Sequence, residues 1–301
     1  MTSYNTDGTV GPWAEEKLEC LSKYLNAYTT ILRKQEQFRG YFYVDAFAGA
    51  GKAPTRKDGV EEKQLEDLFE LSNWTEDKDV KEYTEGSPTR ALSIEHPFSK
   101  YVFVETDKKK REKLEAFIRE NYPGVSFQVL PDDANSALIK RVVNNPNIDW
   151  KRYRAVAFLD PFGMQMPWST IQKIAKTQAI EVIINFPVGM AIQRLLHKFG
   201  QISTERRTNL EEYFGSSEWE SAVYDERTDL FGTSKVKVPE SGHALARWYC
   251  NRLKEEFGYV SSARLIRNST GGHLYYLIFA GPNATGAKIA DEILCQGEVI
   301  S

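Results

Sequence analysis

Apolar residues first recur at helical spacing at Leu18, Leu21, Leu25, Tyr28 and Leu32, which predicts an amphipathic helix running to about Arg33. Pro12 suits its first turn. The period then changes. Tyr41-Phe42-Tyr43-Val44-Asp45-Ala46-Phe47 is a β-rich apolar run ending in Ala48-Gly49-Ala50-Gly51, the mark of a buried strand entering a glycine turn. Residues 52–85 are polar and charged, with Asp58 and Gly59 as breakers, and read as an exposed insertion carrying a helix near 63–71. Gly86-Ser87-Pro88 predicts a helix start with Ser87 as its N-cap.

Beyond that point strands and helices alternate. Strands are predicted at 101–105, 125–130, 155–160 and 181–186, with helices at 108–121, 135–143 and 168–177. Strands separated by helices of this length imply a parallel sheet covered on both faces. Residues 188–238 break the rhythm and read as a second, mostly helical insertion, with helices at 191–199 and 203–214 followed by a polar loop. A helix at 243–256, strands at 259–266 and 273–280, and a helix at 284–295 complete the pattern. The turn at 268–272 is too short for a crossover, so the last two strands must pair as an antiparallel hairpin. The expected architecture is a single doubly wound, Rossmann-like α/β domain over residues 1–301, with seven strands, the last antiparallel, and the two insertions. Five parallel strands followed by such a hairpin is the layout of a class I methyltransferase domain.

Composition narrows the setting. The 301 residues are 41% hydrophobic and 27% charged, an ordinary globular balance. No apolar run approaches the roughly 18 to 20 residues a membrane span needs, and the opening residues lack a signal-peptide pattern, so a cytoplasmic location is expected. Cys20, Cys250 and Cys295 are far apart and His96, His197, His243 and His273 equally scattered, which argues against a disulfide framework or a metal site. A net charge of −3 disfavours broad coating of DNA but leaves room for a local basic groove.

The glycine turn lies where open α/β sheets bind ligands. A phosphate-binding P-loop is excluded, because Ala46 and Ala53 stand where its first glycine and its hydroxyl residue belong. A dinucleotide fold wants its glycines leading straight into a helix, and here an insertion follows. S-adenosylmethionine (SAM) has no pyrophosphate and tolerates that arrangement. Candidate cofactor residues are Asp45, Phe47, Ala48, Gly49 and Gly51, with Glu105 ending the second strand as acceptor for ribose hydroxyls, and Asp133 and Ala134 after the third strand facing the adenine. Each acid has a plain alternative: Glu105 as a solvated strand end, Asp133 as a helix cap.

Strand four runs into Asp160-Pro161-Phe162-Gly163. An aniline-like amine is a poor nucleophile because its lone pair is delocalised into the ring. A carboxylate and a proline carbonyl that accept its N–H groups favour the pyramidal nitrogen and stabilise the growing positive charge. Asp160, Pro161 and Phe162 are therefore the candidate catalytic residues, Phe162 stacking on an unpaired or flipped base. Gly163, Gln165, Trp168, Asn185 and Arg194 are candidates for the substrate groove, although Trp168 fits equally as helix core. The reading is N-methylation of a nucleobase amine, with RNA or DNA as partner.

Gly11-Pro12-Trp13 with Lys17, Asp45-Ala46-Phe47-Ala48-Gly49, Gly86-Ser87-Pro88-x-Arg90-Ala91-Leu92, Val102-Phe103-Val104-Glu105, Asp160-Pro161-Phe162-Gly163 and Ile184-Asn185-Phe186-Pro187 together resemble the three-Cys-motif partner protein family along essentially the whole chain. The resemblance implies a SAM-dependent methyltransferase fold and a partner that carries three cysteines and is similar to radical-SAM proteins. It also keeps open a non-catalytic or regulatory SAM-fold subunit, or a small-molecule methyltransferase. The Asp160–Gly163 tetrapeptide is similar to that of tRNA N2-guanine methyltransferases. It departs from the common Asp-Pro-Pro-Tyr form at its last two positions, which leaves the target base open.

Overall fold

In the computed structural model, which describes residues 12–49, 52–54, 83–161, 163–192, 195–196, 202–229, 232–268 and 271–300, helix α1 (Pro12–Leu32) leads into β1 (Gly40–Asp45) at the heart of a nine-stranded sheet. Two short strands, β2 (Lys52–Pro54) and β3 (Tyr83–Glu85), pair with each other outside that sheet. Next come α2 (Ser87–Leu92), β4 (Lys100–Val104), α3 (Lys108–Asn121) and β5 (Phe127–Leu130). A short α4 (Ala134–Ser136) continues as a π-helix (Ala137–Val143) before β6 (Tyr153–Leu159), α5 (Trp168–Ala175) and β7 (Ile180–Phe186).

After a π-turn (Val188–Ile192) come α6 (Thr204–Phe214), α7 (Trp219–Val223) and a hairpin of β8 (Tyr224–Asp229) and β9 (Gly232–Lys237). Helix α8 (Ser241–Phe257), strands β10 (Tyr259–Val260), β11 (Ala263–Arg267) and β12 (His273–Gly281), helix α9 (Ala284–Leu294) and β13 (Val299–Ile300) follow.

The sheet order is β13-β11-β12-β7-β6-β1-β4-β5, with β10 also on β12. Strands β5, β4, β1, β6 and β7 are parallel, and β12 runs antiparallel to both β7 and β11. Leaving aside the two-residue edge pieces, this is the order 3-2-1-4-5-7-6 of a Rossmann-like class I methyltransferase sheet. The count exceeds the seven strands expected because β13 adds an outer strand beside β11, and β10 pairs with β12 in line with β11.

Alternating side chains build two cores. Tyr43, Tyr101, Phe103, Val156 and Phe158 face α1, α2, α3 and α9, while Val44, Val102, Ala155, Ala157 and Leu159 face α5 and α8. A period of two with both faces buried is why these strands read as continuous apolar runs.

Three local readings are corrected. Gly86, not Ser87, is the N-cap of α2, and Ser87 opens the helix with its side chain turned to Asp45. The polar loop expected after residue 214 is α7 and the β8–β9 hairpin. The single strand expected at 259–266 is two, because the Ser261 hydroxyl accepts from the Phe279 amide in place of a backbone carbonyl, and the Ser262 amide donates to Asp291 instead of a ladder partner. Of the helix expected at 191–199, residues 191–192 end the π-turn Val188–Ile192, Leu195 is helical and Leu196 lies in a bend, and the others lie outside the described residues. The helix expected near 63–71 lies outside the described residues.

Candidate functional site

The carboxyl ends of the parallel strands bring the predicted residues to one edge. Asp45 ends β1 with its side chain fully buried. It accepts from the Tyr43 hydroxyl and the Phe47 amide, both at 3.2 Å, and from the Ser87 side chain. Burial pushes its carboxyl up to about 6, against the lowering effect of those hydrogen bonds, and the nearby charge of Asp160 adds to the rise. The turn that follows is pinned on both sides: Ala46 donates to Phe158 and Ala48 to Val104. Gly49 has φ +62°, left-handed backbone that glycine takes without strain, and a Cβ there would meet nothing within 4 Å among the described residues. Gly51 lies outside the described residues. The β2–β3 ladder pairs Lys52 with Glu85, so the insertion leaves and returns through one neck. Helix α2 thereby follows the glycine turn in space despite the residues between.

Glu105 follows β4. Its amide donates to Leu130, and its carboxylate accepts from the Asp107 amide at 2.8 Å. Asp133 caps α4, accepting from the amides of Asn135 and Ser136 at 3.1 Å, and these bonds hold it below the usual carboxylate range. The capping alternative is thus present in the structure. Ala134 is buried beside it. Asn135 ties the loops after β5 and β6 together by donating to the Gln165 carbonyl at 2.9 Å, while its own Oδ1 is buried without a partner.

Asp160 leaves β6 into a polar corner. Lys17 Nζ pairs with its Oδ2 at 2.5 Å, and Asn185 Nδ2 donates to its Oδ1 at 2.5 Å. Asn185 comes from the end of β7, and its Oδ1 is also buried and unpartnered. The Lys17 ammonium lies 5.3 Å from the centre of the Tyr275 ring on β12. Pro161 is buried, and Gly163 turns the chain with φ +77°. Gln165 is exposed. Phe162 and Arg194 lie outside the described residues.

Trp168 follows its core alternative. Its side chain is buried, edge-on to Tyr249 at 5.6 Å, with the Arg252 guanidinium over its ring, so it belongs to the α5–α8 core. A hollow of about 580 Å³ opens beside it, lined among others by Gln172, Glu211 and Arg252. None of the strand-end acids lines that hollow.

Lys17 and Ser87 had no assigned contact in the reading of the chain. Lys17 sits four residues before Leu21, on the stripe that α1 buries, and a cation on a buried stripe needs an anion. That signal names the need but not the partner. Ser87 is hidden by its context, since a serine before a proline looks like a cap.

No family model and no curated protein matches the chain. Among solved structures, LPL1258 of Legionella pneumophila, given under the family label DUF519, aligns at 13% identity and TM-score 0.46, covering 91% of this chain and 90% of its own. Trm1 of Pyrococcus horikoshii in complex with S-adenosyl-L-methionine aligns at 12% identity and TM-score 0.41, over 97% of this chain and 58% of its own. YhhF of Escherichia coli, described as a putative methyltransferase, aligns at 9% identity and TM-score 0.26, over 71% and 86%. Each score is below 0.5, so the fold class stands on the chain's own strand order.

Proposed function

We propose that this chain is a SAM-dependent methyltransferase of the three-Cys-motif partner kind that N-methylates an exocyclic amine of a nucleobase in RNA or DNA. The observation that carries the reading is the corner at the ends of β6 and β7, where the Asp160 carboxylate stands beside a buried, unpartnered Asn185 Oδ1. A carboxylate next to an amide oxygen that has no partner of its own suits a group rich in N–H donors.

The cofactor residues also fit. Open space at Gly49, the Glu105 carboxylate and the buried, unpartnered Asn135 Oδ1 offer a close backbone approach and acceptors along one edge. Glu105 would take the ribose, Asp133 and Ala134 would flank the adenine, and the turn over Asp45, Phe47, Ala48 and Gly49 would hold the amino-acid end. When bound, SAM supplies an electrophilic methyl group on a sulfonium. The chain's own part is to orient the amine. Asp160 and the Pro161 carbonyl accept its N–H groups, draw the nitrogen lone pair out of the ring, and stabilise positive charge on nitrogen as it grows. Phe162 would stack on the base.

The test is transfer of a labelled methyl from SAM to total cellular RNA and DNA, with modified nucleosides identified by mass spectrometry. Asp160→Ala is expected to bind SAM with affinity near that of the native chain while turnover falls about a hundredfold, roughly 3 kcal/mol. Asp160→Asn should retain more activity than Ala, since its amide oxygen still accepts. Methylation undiminished in Asp160→Ala refutes the amine assignment. Glu105→Ala should weaken SAM binding by calorimetry, and binding of NAD or ATP with no response to SAM refutes the cofactor assignment.

A further inference from the structure

Three successive residues at the start of α1 each pair with a different part of the molecule. Glu15 pairs with Arg90 of α2. Glu16 pairs with Arg264 of β11 at 2.5 Å, and Arg264 is itself buried, donating also to Cys20 Sγ at 3.3 Å and to the Ile293 carbonyl at 3.4 Å. Lys17 pairs with Asp160 of β6. The first two pairs tie the start of the helix to α2 and to β11, so Lys17 arrives at Asp160 from a braced support. Its ammonium also rests near the Tyr275 ring, and its side chain is 12% exposed.

Asp160 needs such support. It lies past the last residue of β6, in a loop that turns at Gly163, so no strand ladder holds it. A carboxylate on a loop samples several rotamers, and each lost rotamer must be compensated by a contact. Here the contacts are Lys17 on one oxygen and Asn185 on the other, delivered by two different elements. Two fixed partners on two oxygens define the carboxylate plane. They leave the remaining lone pairs aimed away from both partners. There is also a charge argument. Asp45 ends the adjacent strand with a buried carboxyl, and like charges at neighbouring strand ends repel. A cation on Asp160 offsets that repulsion.

We infer that Lys17 is a positioning residue for methyl transfer: with Asn185 it sets the orientation of the Asp160 carboxylate toward the acceptor amine. This rests on the functional reading above. Lys17 does not touch the amine; it acts through Asp160. A charged, directional donor is required, so arginine substitutes in part and a neutral side chain of similar volume does not.

The experiment compares Lys17→Met, Lys17→Arg and Asp160→Ala in the full chain, using labelled SAM with total RNA and DNA as acceptors. Lys17→Met is expected to lower kcat roughly tenfold or more at unchanged KM and unchanged SAM affinity, with Lys17→Arg recovering a substantial share. A second readout needs no turnover. With ¹³C-labelled aspartate, the Asp160 carboxyl resonance, identified by its loss in Asp160→Ala, should move in Lys17→Met and return toward its native position in Lys17→Arg. An unmoved resonance, native kcat, or a raised kcat in Lys17→Met overturns the inference. If Asp160→Ala methylates normally, it is the functional reading that fails, and the resonance still decides whether Lys17 orients the carboxylate.

Discussion

Helix α1 and strand β7 meet in two polar clusters, one at each end of the strand. At the carboxyl end, Lys17 and Asn185 hold Asp160 in a corner with part of the surface open and an acceptor unpartnered. At the amino end, Tyr24 donates to Glu181 at 2.6 Å, and neither side chain has a buried polar atom without a partner among the described residues. A Cβ at Gly281 or Gly286 would come within 2.8 Å of the Glu181 side chain, so the two glycines exist to let the acid in. Burial pushes the Glu181 carboxyl up to about 7, while the Tyr24 bond and the charge of Arg154 act the other way. The same helix and the same strand thus carry one cluster with an orphaned buried acceptor and one whose buried atoms are paired. Burial of a titratable group does not by itself mark a site. The difference lies in whether a buried acceptor is left without a partner.

Exchange of the two acids separates the roles most strongly. Asp160→Ala should cost about a hundredfold in turnover with a small change in melting temperature, whereas Glu181→Ala should leave the Tyr24 hydroxyl orphaned and cost stability, roughly 1–3 kcal/mol by denaturant titration. The next effect is on pH. The folded value of Glu181 is near 7 against an ordinary 4.5, so below 4.5 the acid is protonated in both states and imposes no penalty. As pH rises through 7, the folded chain must ionise a buried group, and about 3 kcal/mol of stability is lost. Asp45, near 6 against 3.8, acts in the same direction over a lower window. Urea titrations between pH 4 and 8 should show this decline, and Glu181→Gln should abolish its upper part. Gly286→Ala should destabilise by about 1–3 kcal/mol through overpacking against Glu181, with no effect on SAM affinity. The smallest expected change is at the exposed Arg267–Glu298 pair, where Arg267→Ala should shift stability by less than about 1 kcal/mol.

Much of the sheet was legible because its strands are buried on both faces and end at polar residues. Asp45, Glu105, Asp133, Asp160 and Asn185 could be placed on one edge from strand ends alone, and that edge is where the structure has them. Pairings across the chain were not legible. Lys17 and Asp160 are 143 positions apart, and no local pattern links them. Trp168 was ambiguous for a physical reason: an aromatic at the start of a helix after a strand can face either the edge or the core, and Tyr249 with Arg252, far along the chain, settled it. The β8–β9 hairpin was missed because its strands are polar and pair only with each other, so neither carries the alternation that marks a half-buried strand.

The bracing of α1 also has a temporal consequence. Glu16 is 248 positions from its partner Arg264, and Lys17 lies one residue further along the same helix. A chain emerging from the ribosome therefore carries its first helix long before β11 exists to clamp it. Contacts of such separation form late, after the intervening loop has been closed. The clamp on Glu16 can therefore close only after the chain extends past Arg264, and a chain truncated before Arg264 would lack it.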